Sequence, residues 1–246
     1  NDPFAVQGGY DLVVSVKPDD ENFIVIGGSN AYKIEDVEND FSFTRIGGYA
    51  NNFGYSLYAV GDVNHHPDIH ALVFDPNNEN VLFSATDGGV HKTIDVGASS
   101  VAWENLNNNY ITYQFYHVAL DPEEASNAVI GGAQDNGTKI GGTDLGLEDN
   151  TQMSNWYGGD GVAVGITQRG DDNAFQYYYG SQRGNIRTNY PSCCRSIKPN
   201  GSSSQFVTYF YLDSDNTNAL YYAGNNVIYK TADAENVMPS TWDNLG

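Results

Sequence analysis

Apolar and polar residues alternate with a period of two along most of the chain, in short runs broken by turns rich in Asp, Asn, Gly and Pro. That alternation predicts half-buried β-strands and excludes a helix-pair repeat, whose apolar positions would recur every 3.6 residues. Five segments follow one plan: a short alternating strand, a polar turn, a second strand ending in small residues, and a third short strand. They read "VVSVKPDDENFIVIGGSNAYKI", "ALVFDPNNENVLFSATDGGVHKT", "HVALDPEEASNAVIGGAQDNGTKI", "VGITQRGDDNAFQYYYGSQRGNIRT" and "FYLDSDNTNALYYAGNNVIYKT". An asparagine recurs in the turns, as Asn22, Asn80, Asn127, Asn173 and Asn218, with spacings of 58, 47, 46 and 45 residues. A fourth strand is expected where an aromatic residue returns, at Phe43, Trp103, Trp156 and Trp242.

Four short strands every ~45 to 50 residues is the arithmetic of a β-propeller blade. The predicted class is therefore all-β, a propeller of four-stranded blades, with five blades visible at about residues 8–48, 66–107, 113–158, 161–204 and 205–246. These form one domain over residues 1–246, either a closed ring or an arc of a larger propeller. An arc would leave two exposed faces for further domains or chains to cover. The longer first spacing comes from an insertion at 47–65 that carries Tyr49, Phe53, Tyr55 and Tyr58, suited either to recognition or to a strap over a blade edge. The tyrosines at 177–179 and 221–222 fall in second strands, where alternate rings are expected to pack between blades.

Two segments add a turn signature, "KTIDVGASSVAW" and "KTADAENVMPSTW". They resemble the Asp box of sialidase-like repeat propellers, with Thr93, Asp95, Gly97 and Trp103 matching in one and Thr231, Asp233 and Trp242 in the other, where Glu235 replaces the glycine. The resemblance implies structural work for Asp95, Trp103, Asp233 and Trp242: each carboxylate caps a turn and each indole packs between sheets. It also implies an extracellular or cell-surface location. A second likeness, dense from about residue 64 to 165, runs through "HHPDIH", "DPNN", "TDGGV", "YQFYHVALDP", "GGAQDNGT" and "GGDG". This combination resembles secreted bacterial propellers related to the xyloglucanase-like and sortilin-like folds, some of them glycoside hydrolase-like. A catalytic sialidase is disfavoured, because none of the five arginines falls in a matching motif.

Charge narrows the partners. Acidic residues outnumber basic ones 31 to 11, for a formal net charge of −20, and this field disfavours nucleic acid and anionic membrane surfaces. No run approaches the ~20 apolar residues of a membrane helix. The chain starts at Asn1 without a charged-then-apolar leader, which is expected of a processed or trimmed product. Cys193 and Cys194 are the only cysteines and are adjacent, so they cannot staple distant segments. Free thiols, a strained vicinal disulfide and a bond to another chain are the alternatives.

Candidate chemistry follows from blade topology. Loops before a first strand and loops between second and third strands lie on the same face of a propeller, so "HHPDIH", "TDGG", "AQDNGT" and "YGGDG" are expected to share one face. The binding candidates are His66, Asp68, His70, Asp87, Gln134, Asp135, Asn136, Tyr157 and Asp160. If residues 66–70 are extended, His66, Asp68 and His70 point one way, with neighbours about 6.7 Å and the outer pair about 13 Å apart, so two of them can share a zinc ion but all three only if Pro67 bends the chain. Asp135, Asn136 and Asp160 offer oxygen ligands between glycines, a set that suits calcium if any metal is bound. Loop-to-backbone hydrogen bonds are the alternative use of all these groups. Glycosidase action needs two carboxylates about 5 to 9.5 Å apart, for which Asp68 or Asp87 with Asp135 or Asp160 are the catalytic candidates. The functional expectation is a propeller binding a polysaccharide or surface protein, with a glycoside hydrolase and a structural module of a larger assembly as the alternatives.

Overall fold

The computed structural model describes residues 4–49, 65–110, 113–170 and 172–246. Phe53, Tyr55 and Tyr58 of the insertion lie outside the described residues. Among the described residues the strands form five antiparallel sheets of four, each in chain order. The chain divides into two compact units, Asn1–Ile111 and Thr112–Gly246. No helix among the described residues is long and apolar enough to cross a membrane.

The first unit holds two sheets. One comprises β1 (Val13–Lys17), β2 (Asp20–Gly27), β3 (Ala31–Ile34) and β4 (Thr44–Gly47); the other comprises β5 (Ile69–Asp75), β6 (Asn78–Thr86), β7 (Gly89–Thr93) and β8 (Glu104–Asn105). Alternate residues of β2 are buried, as a strand with one packed face requires. Phe23, Val25, Ala31 and Ile46 from the first sheet meet Ile69, Leu72, Phe74, Leu82 and Trp103 from the second.

The second unit holds three sheets: β9 (Phe115–Leu120) to β12 (Met153–Tyr157), β13 (Val164–Gln168) to β16 (Arg195–Ser196), and β17 (Phe210–Leu212) to β20 (Asp243–Asn244). Between them run β10 (Val129–Ala133), β11 (Gly137–Gly141), β14 (Phe175–Ser181), β15 (Asn185–Thr188), β18 (Leu220–Ala223) and β19 (Ile228–Thr231). The tyrosine triplet sorts its rings by parity. Tyr177 and Tyr179 enter the core shared with Ile130 and Ile140, whereas Tyr178 enters the core shared with Leu220 and Tyr222.

The recurring asparagine marks a recurring hydrogen bond. The carbonyls of Asn22, Asn80 and Asn218 accept the N–H groups of Val37, Val96 and Ala234 at 3.0, 2.9 and 3.0 Å. Each ties the turn after the third strand back to the start of the second. Asn127 does this with its side chain, whose oxygen accepts the Asp144 N–H at 2.9 Å. Backbone groups that would otherwise be stranded at the sheet end are thus satisfied in four of the five sheets, whereas Asn173 donates its own N–H to the Arg169 carbonyl.

The two turn-capping aspartates act locally. Asp95 Oδ1 accepts the Gly97 N–H at 3.1 Å, and Asp233 Oδ1 accepts the Asn236 N–H at 3.2 Å. Each partner tryptophan donates its indole N–H to the preceding sheet: Trp103 to the Ile46 carbonyl at 2.5 Å, Trp242 to the Ile197 carbonyl at 2.8 Å. One hydrogen bond per indole therefore sets the spacing between neighbouring sheets, while the ring supplies the apolar contact.

Candidate functional site

In the first unit, "HHPDIH" splits its histidines between core and surface. His65 turns inward, buried against Trp103 with ring centroids 4.3 Å apart and against His91 at 5.1 Å. His66 turns away and lies over Gly88, where any Cβ would collide with the imidazole. Its Nδ1 meets the Pro67 carbonyl at 2.9 Å. Asp68 has φ +62°, so the stretch from 66 to 70 is not one extended strand and its three polar side chains do not line up. Among the described residues, no three His, Cys, Asp or Glu side chains converge as ligands of one metal ion.

The bend instead builds a carboxyl cluster. Asp68 is buried, and its Oδ1 accepts a hydrogen bond from Gln7 Nε2 at 2.5 Å. Burial, reinforced by the charge of Asp11, pushes the Asp68 carboxyl up to about 6. Asp11 is fully buried, and burial raises its carboxyl as well. The two aspartates titrate as a pair. Beside them His70 Nε2 meets Asp87 Oδ1 at 2.5 Å, while His70 Nδ1 stands 3.8 Å from Asp11 Oδ1. The cluster thus combines a carboxyl that keeps its proton into the mildly acidic range with an exposed imidazole–carboxylate pair.

The same unit holds a pair of buried imidazoles, His65 and His91, whose ring nitrogens have no hydrogen-bond partner among the described residues. Burial lowers both, His91 to about 4, so both rings are neutral at physiological pH.

The second unit gathers a different group. Asp135 lies at φ +55° in the tight β10–β11 turn, where Asp160 Oδ1 accepts its N–H at 3.0 Å. Gly137, at φ +72°, leaves room for the Tyr157 carbonyl, which a Cβ would strike. This close approach brings the turn against the end of β12 and leaves an open pocket of about 330 Å³. Asp135, Asn136, Lys139, Asn155, Trp156 and Tyr157 line it, with Gly158 and Gly159 at its rim. Lys139 is buried, hydrogen-bonds to Asn155, and lies 4.7 Å over the Tyr113 ring; burial lowers its ammonium. The Tyr157 ring lies 5.3 Å from the Tyr179 ring, and the Arg187 guanidinium lies 5.3 Å from its centroid.

The structure therefore brings Asp68, His70 and Asp87 together in one unit and Asp135, Asn136, Tyr157 and Asp160 in the other. Gln134 is half-buried, and its backbone N–H is committed to the Gln114 carbonyl at 2.9 Å. Cys193 and Cys194, for which a vicinal disulfide is one expectation, are free thiols. Sequence reasoning missed Asp11, Gln7, His91, Lys139 and Asn155. Asp11 could have been found, since it precedes β1 much as Asp68 precedes β5.

No family model matches the chain, and no curated protein does. Among solved structures, an ancestral GH74 enzyme is similar with a TM-score of 0.52 and 15% identity, over 95% of this chain and 38% of that one. A GH74 enzyme of Niastella koreensis aligns over the same shares, 95% and 38%, with 18% identity and a TM-score of 0.33. The ancestral enzyme's likeness shows the fold alone: all-β, in five four-stranded sheets, consistent with part of a larger propeller. The chain spans well under half the length of these enzymes.

Proposed function

We propose that this chain is the glycan-binding part of a secreted or cell-surface propeller completed by further blades, and that the pocket beside Tyr157 holds a neutral polysaccharide. One arrangement carries this reading: Tyr157 and Trp156, the latter packed edge-on against Tyr177, line an open pocket together with Asn136, Asn155, Lys139 and the acidic Asp135. Sugars offer flat C–H faces to rings and hydroxyl pairs to amides and carboxylates, so the lining matches in both respects. Tyr157 already contacts the Tyr179 ring and the Arg187 guanidinium before any ligand arrives, which lowers the ordering cost of binding. A net charge of −20 favours a neutral chain over an anionic one. The likeness to a GH74 enzyme supports a carbohydrate ligand and makes xyloglucan the first to try.

Affinity electrophoresis through gels containing xyloglucan or another neutral polysaccharide tests this. The protein is expected to be retarded, and Tyr157→Ala, checked for folding by circular dichroism, to lose about tenfold in affinity, the effect of one stacking anchor. Unretarded migration in every neutral polysaccharide would refute the proposal.

A second reading, hydrolysis, is favoured by one observation, the Asp68 carboxyl at about 6 beside Asp87. A general acid must keep its proton near the working pH while a second carboxylate acts as base or nucleophile. New reducing ends that disappear in Asp68→Asn would support it. Retention without reducing ends would leave binding as the function.

A further inference from the structure

The turn between β15 and β16 carries two adjacent thiols on a braced scaffold. Arg187 donates from Nη1 to the Cys194 carbonyl at 2.7 Å. Arg195 donates to the Tyr190 carbonyl from Nε at 3.2 Å and from Nη2 at 2.9 Å, and its Nη1 reaches the Val237 carbonyl at 2.6 Å. Guanidinium groups therefore hold the turn at both ends. Cys194 sits at φ +66°, a conformation that side chains other than glycine rarely adopt. Cys193 is exposed and Cys194 half-buried.

We propose that Cys193 and Cys194 form a thiol–disulfide exchange site for small-molecule disulfides, with Cys194 as the attacking sulfur and Cys193 as the resolving one. The two thiols differ in environment. The neighbouring Cys193 thiol and the charge of Arg187, which reaches the Cys194 carbonyl, lower Cys194, whereas the neighbouring Cys194 raises Cys193. Cys194 thiolate attacks one sulfur of a disulfide RSSR, forming a mixed disulfide and releasing RS⁻. The Cys193 thiol, giving its proton to solvent, then attacks the Cys194 sulfur and releases the second RS⁻. The protein is oxidised by two electrons, and the small disulfide is reduced to two thiols.

Closure between neighbours strains the ring. Adjacent Cα atoms are ~3.8 Å apart across a trans peptide, short of the ~4.4 to 6.8 Å usual for disulfides. Such a bond is readily reduced again, which suits a reversible modification and not a structural staple. Its placement gives it reach, because Arg187, which holds the Cys194 carbonyl, also lies over the Tyr157 ring.

Intact-mass spectrometry of the whole chain after treatment with glutathione disulfide decides it. The wild type should lose two hydrogens and carry no adduct, Cys193→Ser should retain one glutathione, and Cys194→Ser should react about tenfold more slowly. A lasting glutathione adduct on the wild type, equal rates for the two variants, or an unchanged mass would overturn the proposal. The readout is covalent chemistry, so loss of glycan binding cannot imitate either result.

Discussion

Asp68 and His91 lie in the same unit and titrate in opposite senses. The Asp68 carboxyl rises from 3.8 to about 6 on folding, so its contribution to stability is full below pH 3.8 and is lost as pH climbs through 6. His91 falls from 6.5 to about 4, so its contribution is full above pH 6.5 and is lost as pH drops through 4. Each is worth on the order of 2 kcal/mol after partial solvent screening. Between pH 4 and 6.5 they offset one another. Because Asp11 and His65 shift in the same senses as their neighbours, urea unfolding of single variants is read against the wild type: stability should climb more steeply with pH across this window in Asp68→Asn and less steeply in His91→Gln. Parallel slopes for the two variants would contradict the assignment.

At the scale of strands and turns, the indole hydrogen bonds make a graded prediction. Trp103 is buried and Trp242 half-buried, yet both donate to the carbonyl of a neighbouring sheet. Trp103→Ala should cost about 3 to 5 kcal/mol in chemical denaturation, as for large buried aromatics, and Trp242→Ala clearly less. Equal costs would mean that the hydrogen bond, not burial, dominates. Gly137→Ala makes a second test, since it places a side chain at φ +72° against the Tyr157 carbonyl. A loss of about 1 to 3 kcal/mol is expected, together with weaker retention by polysaccharide.

These elements also show what the sequence made visible. Strand periodicity, the asparagine spacing and the returning tryptophans all depend on residues close in the chain, and each has a counterpart in the sheets. The Asp68 environment does not, because its partner Gln7 lies 61 residues away and its bend comes from a single positive φ. The opposed fates of His65 and His66 follow from the parity of neighbouring side chains once Gly47 and Gly88 have made room for them. Spacing alone carries no such information.

For the whole molecule, the net charge of −20 sets an expectation independent of any site. Like charges repel in the compact state, and salt screens them over a Debye length of ~10 Å at 0.1 M. The thermal midpoint should therefore rise as sodium chloride increases from about 0.01 to 0.3 M, where that length has become short. A midpoint that falls over this range would point to salt-sensitive ion pairs as the dominant electrostatic term.

One strand bears on how such a chain can change over time. Along β14 every residue after Phe175 is buried, with Tyr178 facing one core and Tyr177 and Tyr179 facing another. A wall shared by two rooms cannot be moved for one of them alone. Replacements there must suit both neighbours at once, so β14 is expected to drift slowly and in matched steps. In the turn before it Asp172 and Asn173 face solvent, so their side chains have no packed core to match. Novelty in this architecture should accumulate at the rims of its sheets while the shared walls keep their composition.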